Sequence, residues 1–263
     1  MPKTTKSREG ADARPSALEA STQGRAPLPA LAPSGCLGRL AKLKGPFEEL
    51  SHVTGLEEKA RALAEVAEEV ARCRKCRLWS SRTNPVPGHG NQDSDVMFIG
   101  EAPGYNEDLE GKPFVGAAGK FLDQLLGIAG LRRGEVFITN VLKCRPPGNR
   151  DPLPDEVEAC SPYLDRQILI IRPKLVVCLG RHSASYVLSR SGVKVRSRSG
   201  GTSISAVRGQ VFKARFEGFA FLVMPTYHPA AGLYNPRLKE ILMEDFASIG
   251  RVVKGIREGS ISI

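Results

Sequence analysis

The chain has 263 residues, 41% of them hydrophobic, which is enough to bury one sizeable core although the length also admits two small domains. Its formal charge of +10 points to a polyanionic partner, and residues 1–50, with eight Lys/Arg against five Asp/Glu, hold only +3 of it. No apolar run approaches the roughly 18 residues needed to cross a bilayer, and the start MPKTTK lacks the apolar centre of a signal peptide, so a cytoplasmic location with no membrane partner is expected.

From Met1 to about Pro46 the sequence is rich in Pro, Ala, Gly and Ser and lacks sustained apolar periodicity. Residues 1–50 therefore read as a disordered tail, with the folded domain over 55–250. The run Gly55–Arg72 sets Leu56, Leu63, Val66 and Val70 at helical spacing and delivers the chain to Cys73. Four short apolar runs beyond it predict strands: Asp95–Gly100, Val136–Val141, Leu175–Gly180 and Phe221–Pro225. Helical patterns lie between them at Ala118–Ala129, Pro154–Ile171 and His182–Leu188, with another after Pro236. The alternation predicts an α/β fold, a single three-layer αβα domain around a central, largely parallel four-stranded sheet. The basic, Gly/Ser-rich stretch Lys194–Glu217 reads as a β-hairpin or loop insertion. In open parallel sheets ligands bind beyond the carboxyl ends of the strands. The most unusual segments follow such ends: GEAPGYNED after the first strand, KCRPPGNRDP after the second and TYHPAAGLYNP after the fourth.

Six cysteines in a chain of this expected location favour metal binding, catalysis or burial over a disulfide scaffold. Cys73 and Cys76 form a C-x2-C pair, and Cys144 and Cys160, separated by fifteen residues, flank a loop. Four thiolates from two segments can enclose a [4Fe–4S] cluster or a tetrahedral zinc, the plainer alternative being buried thiols. A zinc ribbon repeats its C-x2-C knuckle and this chain does not, so the spacing favours iron–sulfur. Cys178 lies within an apolar run and reads as core, and Cys36 belongs to the tail.

Gly100-Glu101-Ala102-Pro103-Gly104 sets a carboxylate in a tight turn where a ligand can approach backbone N–H groups, although an ordinary turn with a solvated Glu would look the same. Neither a dinucleotide fingerprint nor a phosphate-binding loop is present. His228, before a Pro at a strand's carboxyl end, points to the same rim as Glu101. Asn140 stands in an apolar strand and must find partners for its amide, either backbone or a base edge.

Taken together, the C-x2-C pair, GEAPGYNEDLEGKPFVGAAGKFLD, TNVLKCRPPGNRDP with its Cys144–Cys160 pair, and PTYHPAA resemble the family-4 uracil-DNA glycosylases, over about Leu63 to Ala247. The resemblance implies an iron–sulfur enzyme of base excision repair, with Cys73, Cys76, Cys144 and Cys160 as ligands of a [4Fe–4S] cluster. Its partner would be uracil-containing DNA, double- or single-stranded, met as a monomer at the nucleoid, and a sliding clamp is a candidate partner for the tail. A base within a duplex is out of reach, so such an enzyme extrudes the nucleotide into a pocket. Phe114 would stack on the base, beside Gly100 and Ala102 of the turn. Asn140 would accept from uracil N3–H and donate to O4, a pattern that cytosine inverts. Glu101 would orient or deprotonate water and stabilise the cationic sugar, and His228 would donate toward uracil O2 as negative charge develops. Glu107 is a second candidate catalytic carboxylate, or lines the C5 side of the base. Leu233 is the candidate wedge into DNA. The more usual Leu-Leu-Arg-Asn-Pro departs here at Gly232 and Tyr234, so Tyr234 competes for that role. The turn Asn84–Gly88 and the basic residues Lys143, Arg145 and Arg150 are candidate phosphate contacts.

Two rivals differ in their demands. A related uracil-binding type becomes covalently attached to DNA through a histidine in an inserted Lys-Arg-Arg-Ile-His motif and carries Gln after the motif Glu. Here Ala102 holds that position and PPGNRDP follows Arg145 without an insertion, so turnover is expected. A noncatalytic iron–sulfur DNA-binding or electron-transfer protein would explain the cysteines and charge but leave TYHPAA without a purpose.

Overall fold

A computed structural model describes residues 53–194 and 203–263. Residues 1–50, read as a disordered, clamp-binding tail, lie outside the described residues. The first helix, α1 (Leu56–Arg72), starts with Glu57 and Glu58 in its first turn, ends with Arg72 in its last, and buries Ala62, Val66 and Val70. Both charge placements complement the helix dipole.

Beyond it run β1 (His89–Gly90), β2 (Val96–Gly100), α2 (Tyr105–Glu110), α3 (Ala117–Ile128), β3 (Phe137–Asn140), α4 (Pro154–Ile171), β4 (Leu175–Leu179) and α5 (Arg181–Arg190). Then come α6 (Ile204–Val207), β5 (Phe212–Phe216), β6 (Phe219–Thr226), α7 (Pro229–Tyr234) and α8 (Pro236–Arg257). The sheet order is β1-β3-β2-β4-β6-β5. The four expected strands form its parallel centre, β3-β2-β4-β6, and an antiparallel strand closes each edge. The sheet thus has six strands where the sequence suggested four.

Both additions have a physical reason. β1 is two residues long, too short to leave a pattern. β5 exposes Lys213 and Arg215 and turns Ala214 and Phe216 inward, which shields an edge strand from further pairing. Among the described residues it is the one strand within Lys194–Glu217, the stretch read as a hairpin or loop insertion, and it pairs with β6 beyond that stretch through a turn at Glu217 and Gly218, both at positive φ. The helix α6 also falls in the stretch, and residues 195–202 lie outside the described residues.

Every residue of β2 is buried, as a central strand between two helical layers requires. Phe98 packs with Leu122, Leu125, Leu242 and Phe246 from α3 and α8. On the opposite face Met97 and Ile99 pack with Leu164, Ile168 and Val187 from α4 and α5. A third apolar cluster joins Val66, Val70, Leu78, Leu142 and Tyr163 around Cys144 and Cys160.

The parallel register determines what meets at the carboxyl rim. Gly100 is level with Asn140, and pairing continues past the strands as Val141 N–H donates to Gly100 O at 3.1 Å and Leu142 N–H to Glu101 O at 3.0 Å. On the other side Leu179 is level with Thr226. Glu101, Asn140, Gly180 and His228 are therefore carried to one edge of the molecule. Among the described residues no helix is long and apolar enough to cross a membrane.

Candidate active site and thiol cavity

Four groups converge at the end of the β2–β3 pair. A Cβ added at Gly100 would stand 2.3 Å from Asn140 Oδ1 and 2.8 Å from Phe114 Cζ, so only glycine leaves room for both side chains. Asn140 is buried and its Oδ1 has no hydrogen-bond partner. A buried acceptor without a partner costs about 1–3 kcal/mol, a cost that a ligand donor would remove. Phe114 adopts a positive φ of 53°, a conformation that bulky residues avoid, and its ring lies 5.5 Å from that of His228. Arg133 holds this backbone by donating to Phe114 O at 3.0 Å, and Gly119 allows close approach, since a Cβ there would meet the same oxygen at 1.9 Å.

His228 caps α7. Its Nδ1 accepts from Ala230 N–H at 3.2 Å, so in the neutral ring the proton resides on Nε2. Burial pushes its pKa down to about 4 against the opposing pull of Glu107. The imidazole is thus a neutral donor at physiological pH. The strand that delivers it is anchored by Thr226, whose hydroxyl donates to Asp245 of α8 at 2.7 Å.

Burial, reinforced by the nearby Asp151 charge and opposed by Arg181, raises the Glu101 pKa to about 7. Glu101 is therefore poised between acid and base near neutrality. Its neighbours Asp151 and His182 were not singled out in the sequence. His182 opens α5 directly after β4, the one parallel strand whose end had attracted no attention, and the strand-end rule would have found it.

Glu107 does something different. Its carboxylate accepts from Gly104 N–H at 3.1 Å, Val115 N–H at 2.9 Å and Gly116 N–H at 3.0 Å. It ties the GEAPG turn to the loop that carries Phe114. Ala102 packs against the apolar shell of the thiol cluster.

Lys143 is a correction to its expected contact with a DNA phosphate. It is 1% exposed, and its ammonium donates to Thr139 Oγ1, Asn140 O and Gln167 Oε1, each at 2.7 Å. These acceptors draw it inward, away from any phosphate. Burial pushes its pKa down to about 7. Arg145 is half-buried, with its guanidinium 5.0 Å from the Tyr105 ring centre, while Arg150 pairs with Glu156. Asn84 donates to Asp108 O and Leu109 O and so braces its own turn. The segment after His228 is a helix, α7, where a loop was expected, because His228 caps it and Pro229 suits its first position. Leu233 and Tyr234 end that helix 40% and 88% exposed, close to the rim that holds His228.

The four cysteines line one cavity together with Val70, Trp79 and Tyr163. Lys143 N–H donates to Cys160 Sγ at 3.2 Å, and Arg82 to Cys144 Sγ at 3.2 Å. Burial pushes the Cys160 thiol up to about 12 and raises those of Cys144 and Cys76. The four thiols come from two segments and face one apolar-walled cavity, a donor set that fits an iron–sulfur cluster, and N–H donors already face two of the sulfurs. Cys178 is buried in β4 and takes no part. Cys36 lies outside the described residues.

Comparison with known proteins decides the family. The Uracil DNA glycosylase superfamily profile matches residues 87–247. A Type-4 uracil-DNA glycosylase of Sulfurisphaera tokodaii is 56% identical over 189 residues, 72% of this chain and 83% of its own. The chain belongs to the type-4 uracil-DNA glycosylase family. Type-4 uracil-DNA glycosylases of Saccharolobus solfataricus, 55% identical over 70% of this chain and 83% of theirs, and of Archaeoglobus fulgidus, 49% identical over 73% and 93%, agree. The covalently attaching relative and the noncatalytic protein are both disfavoured by this membership in a type-4 glycosylase family.

Proposed function

We propose that the protein excises uracil from DNA by hydrolysing the N-glycosidic bond of a flipped-out deoxyuridine. The observation that carries this reading is the buried, unpartnered Asn140 Oδ1 beside Phe114 and a neutral His228. Uracil N3–H supplies the donor that this oxygen lacks, and the Asn140 amide donates to O4. Cytosine presents an acceptor at N3 and a donor at C4, leaving both ends of the Asn140 amide opposed. Mismatches of this kind lower specificity constants by about 10⁴–10⁵-fold in a site built on hydrogen bonds.

As the C1′–N1 bond breaks, its electron pair moves into the uracil ring and O2 becomes anionic. The His228 Nε2–H donates to that oxygen at no cost in reorganisation, because Ala230 already fixes the tautomer. Glu101 orients water toward the cationic C1′ and takes its proton. Phe114 stacks on the base, Glu107 holds the loop that carries Phe114, and Leu233 with Tyr234 enters the space the base vacates. Arg145 serves as the phosphate contact in place of Lys143.

Cys73, Cys76, Cys144 and Cys160 would hold a [4Fe–4S] cluster. When bound, the cluster supplies a covalent tie between the segment after α1 and the loop after β3. The unrepeated C-x2-C pair, the apolar walls of the shared cavity and the N–H···S donors support this choice over zinc.

Incubation with matched oligonucleotides containing uracil or cytosine tests the reading. Free uracil should appear catalytically and cytosine should not. A denaturation-stable protein–DNA adduct without turnover, or binding without release, would overturn it.

A further inference from the structure

Glu101 is faced by Asp151, from the loop leading to α4, and by Arg181 and His182, from the first turn of α5. The Oε2 of Glu101 lies 3.7 Å from His182 Nε2, which is in turn 3.5 Å from Asp151 Oδ1. All three ligand atoms fall within 4.8 Å of one another. The Nε2 atom is buried and completes a hydrogen bond with neither carboxylate, while Asp151 is held in place by an ion pair with Arg181. A donor suspended between two acid groups is poised to close on either one.

We propose that Asp151 and His182 are positioning residues for Glu101, which hold its carboxylate at the rim and set the pH at which it becomes able to take the proton of the attacking water. This inference rests on Glu101 being the group that serves that water. His182 is neutral, because burial and the adjacent Arg181 lower its pKa, and with two carboxylates before it the ring presents Nε2–H and not a lone pair. Donation to Glu101 favours its ionised form. The Asp151 charge works in the opposite sense and keeps the carboxylate basic. Burial lifts Asp151 too, but Arg181 and His182 outweigh that and hold it below its ordinary value, so it remains charged while Glu101 titrates. The two neighbours thus pull the Glu101 titration in contrary directions.

That opposition gives a signature that damage to the fold cannot imitate. Single-turnover uracil release from a uracil-containing oligonucleotide is measured from about pH 5 to 9, with the position of the rising limb read separately from the height of its plateau. Asp151→Asn removes a unit charge less than 5 Å away and should move the limb down by about one pH unit. His182→Phe keeps the bulk but deletes the donor and should move it up, and His182→Gln, which restores an N–H, should bring it back. A limb that stays put in both Asp151→Asn and His182→Phe, in an enzyme that Glu101→Gln disables, would overturn the proposal while leaving the Glu101 reading intact. Wild-type rates in Glu101→Gln would sink both.

Discussion

Replacing His228 by Ala isolates the contribution of one neutral donor. The ring is fixed with Nε2–H free because Nδ1 accepts from Ala230 N–H at 3.2 Å, and burial holds its pKa at about 4. A single preorganised donor to a developing anion contributes about 10²–10³-fold in rate, or about 3–4 kcal/mol. His228→Ala should therefore lower the single-turnover rate of uracil release by that factor. Affinity for uracil-containing DNA should change little, since the interaction strengthens only as charge accumulates on the leaving base. Enzyme in excess over oligonucleotide, titrated at several concentrations, separates the two quantities. The pH dependence sharpens the test. A neutral donor predicts that the ratio of wild-type to variant rates stays constant from about pH 5.5 to 8, well above the pKa of the ring. If the imidazolium were the active form, the ratio would shrink about tenfold for each unit above that pKa. A sloping ratio, or a loss below about fivefold in a folded variant, would refute the reasoning.

The same geometry yields three further expectations. Gly100→Ala puts a Cβ 2.3 Å from Asn140 Oδ1 and 2.8 Å from Phe114 Cζ, so uracil release should fall at least tenfold while the variant, overpacked by one methyl, loses about 1–3 kcal/mol in a denaturant titration. The purified protein should be brown, with broad absorption near about 400 nm, and Cys160→Ser should lose that colour together with stability; stoichiometric zinc without iron in natively expressed protein would rule out the cluster. Stability should vary little between about pH 7 and 4.5, because two opposite linkages offset one another. Glu101, raised to about 7, contributes stability below its ordinary 4.5 that is lost as pH rises through 7, whereas His228, lowered to about 4, contributes stability above 6.5 that is lost as pH falls through 4. Each is at most about 3 kcal/mol, so on acidification Glu101→Gln should lose stability and His228→Ala should gain it, as read by thermal melts across pH.

What could be read from the sequence divides along a physical line. The helix expected at Pro154–Ile171 is α4 to the residue, because its beginning is written locally: Pro in the first turn and Glu156 returning to the Leu153 N–H. The four parallel strands are equally local, being apolar runs bounded by turns. Glu101, Asn140 and His228 were found together because the carboxyl ends of parallel strands share an edge whatever the loops do. Lys143 was misread since nothing in KCRPPGNR distinguishes a lysine aimed at solvent from one aimed inward. Its direction depends on Gln167, twenty-four residues away, and on the side chain of Thr139. Glu107 was read as chemistry because three backbone donors from two segments are invisible along a chain. His182 reaches Glu101 only through the packing of α5 against the end of β4, and Asp151 only through the loop before α4 and its ion pair with Arg181.

Lys143 also shows why the thiol cavity and the base pocket belong to one structural unit. Its backbone N–H donates to Cys160 Sγ, while its ammonium donates to the carbonyl of Asn140, the residue proposed to read the base. The three acceptors around that ammonium are neutral, so no paired charge holds it there, and its burial depends on all three being supplied at once. Thr139 and Asn140 come from β3 and Gln167 from α4, the helix that also carries Cys160. A displacement of Cys160 relative to the Cys73–Cys76 segment would shift the Lys143 backbone and, through the same residue, the end of β3. The proposed cluster, which takes no electron in the hydrolysis, would therefore brace the end of β3 that carries Asn140 through this one residue.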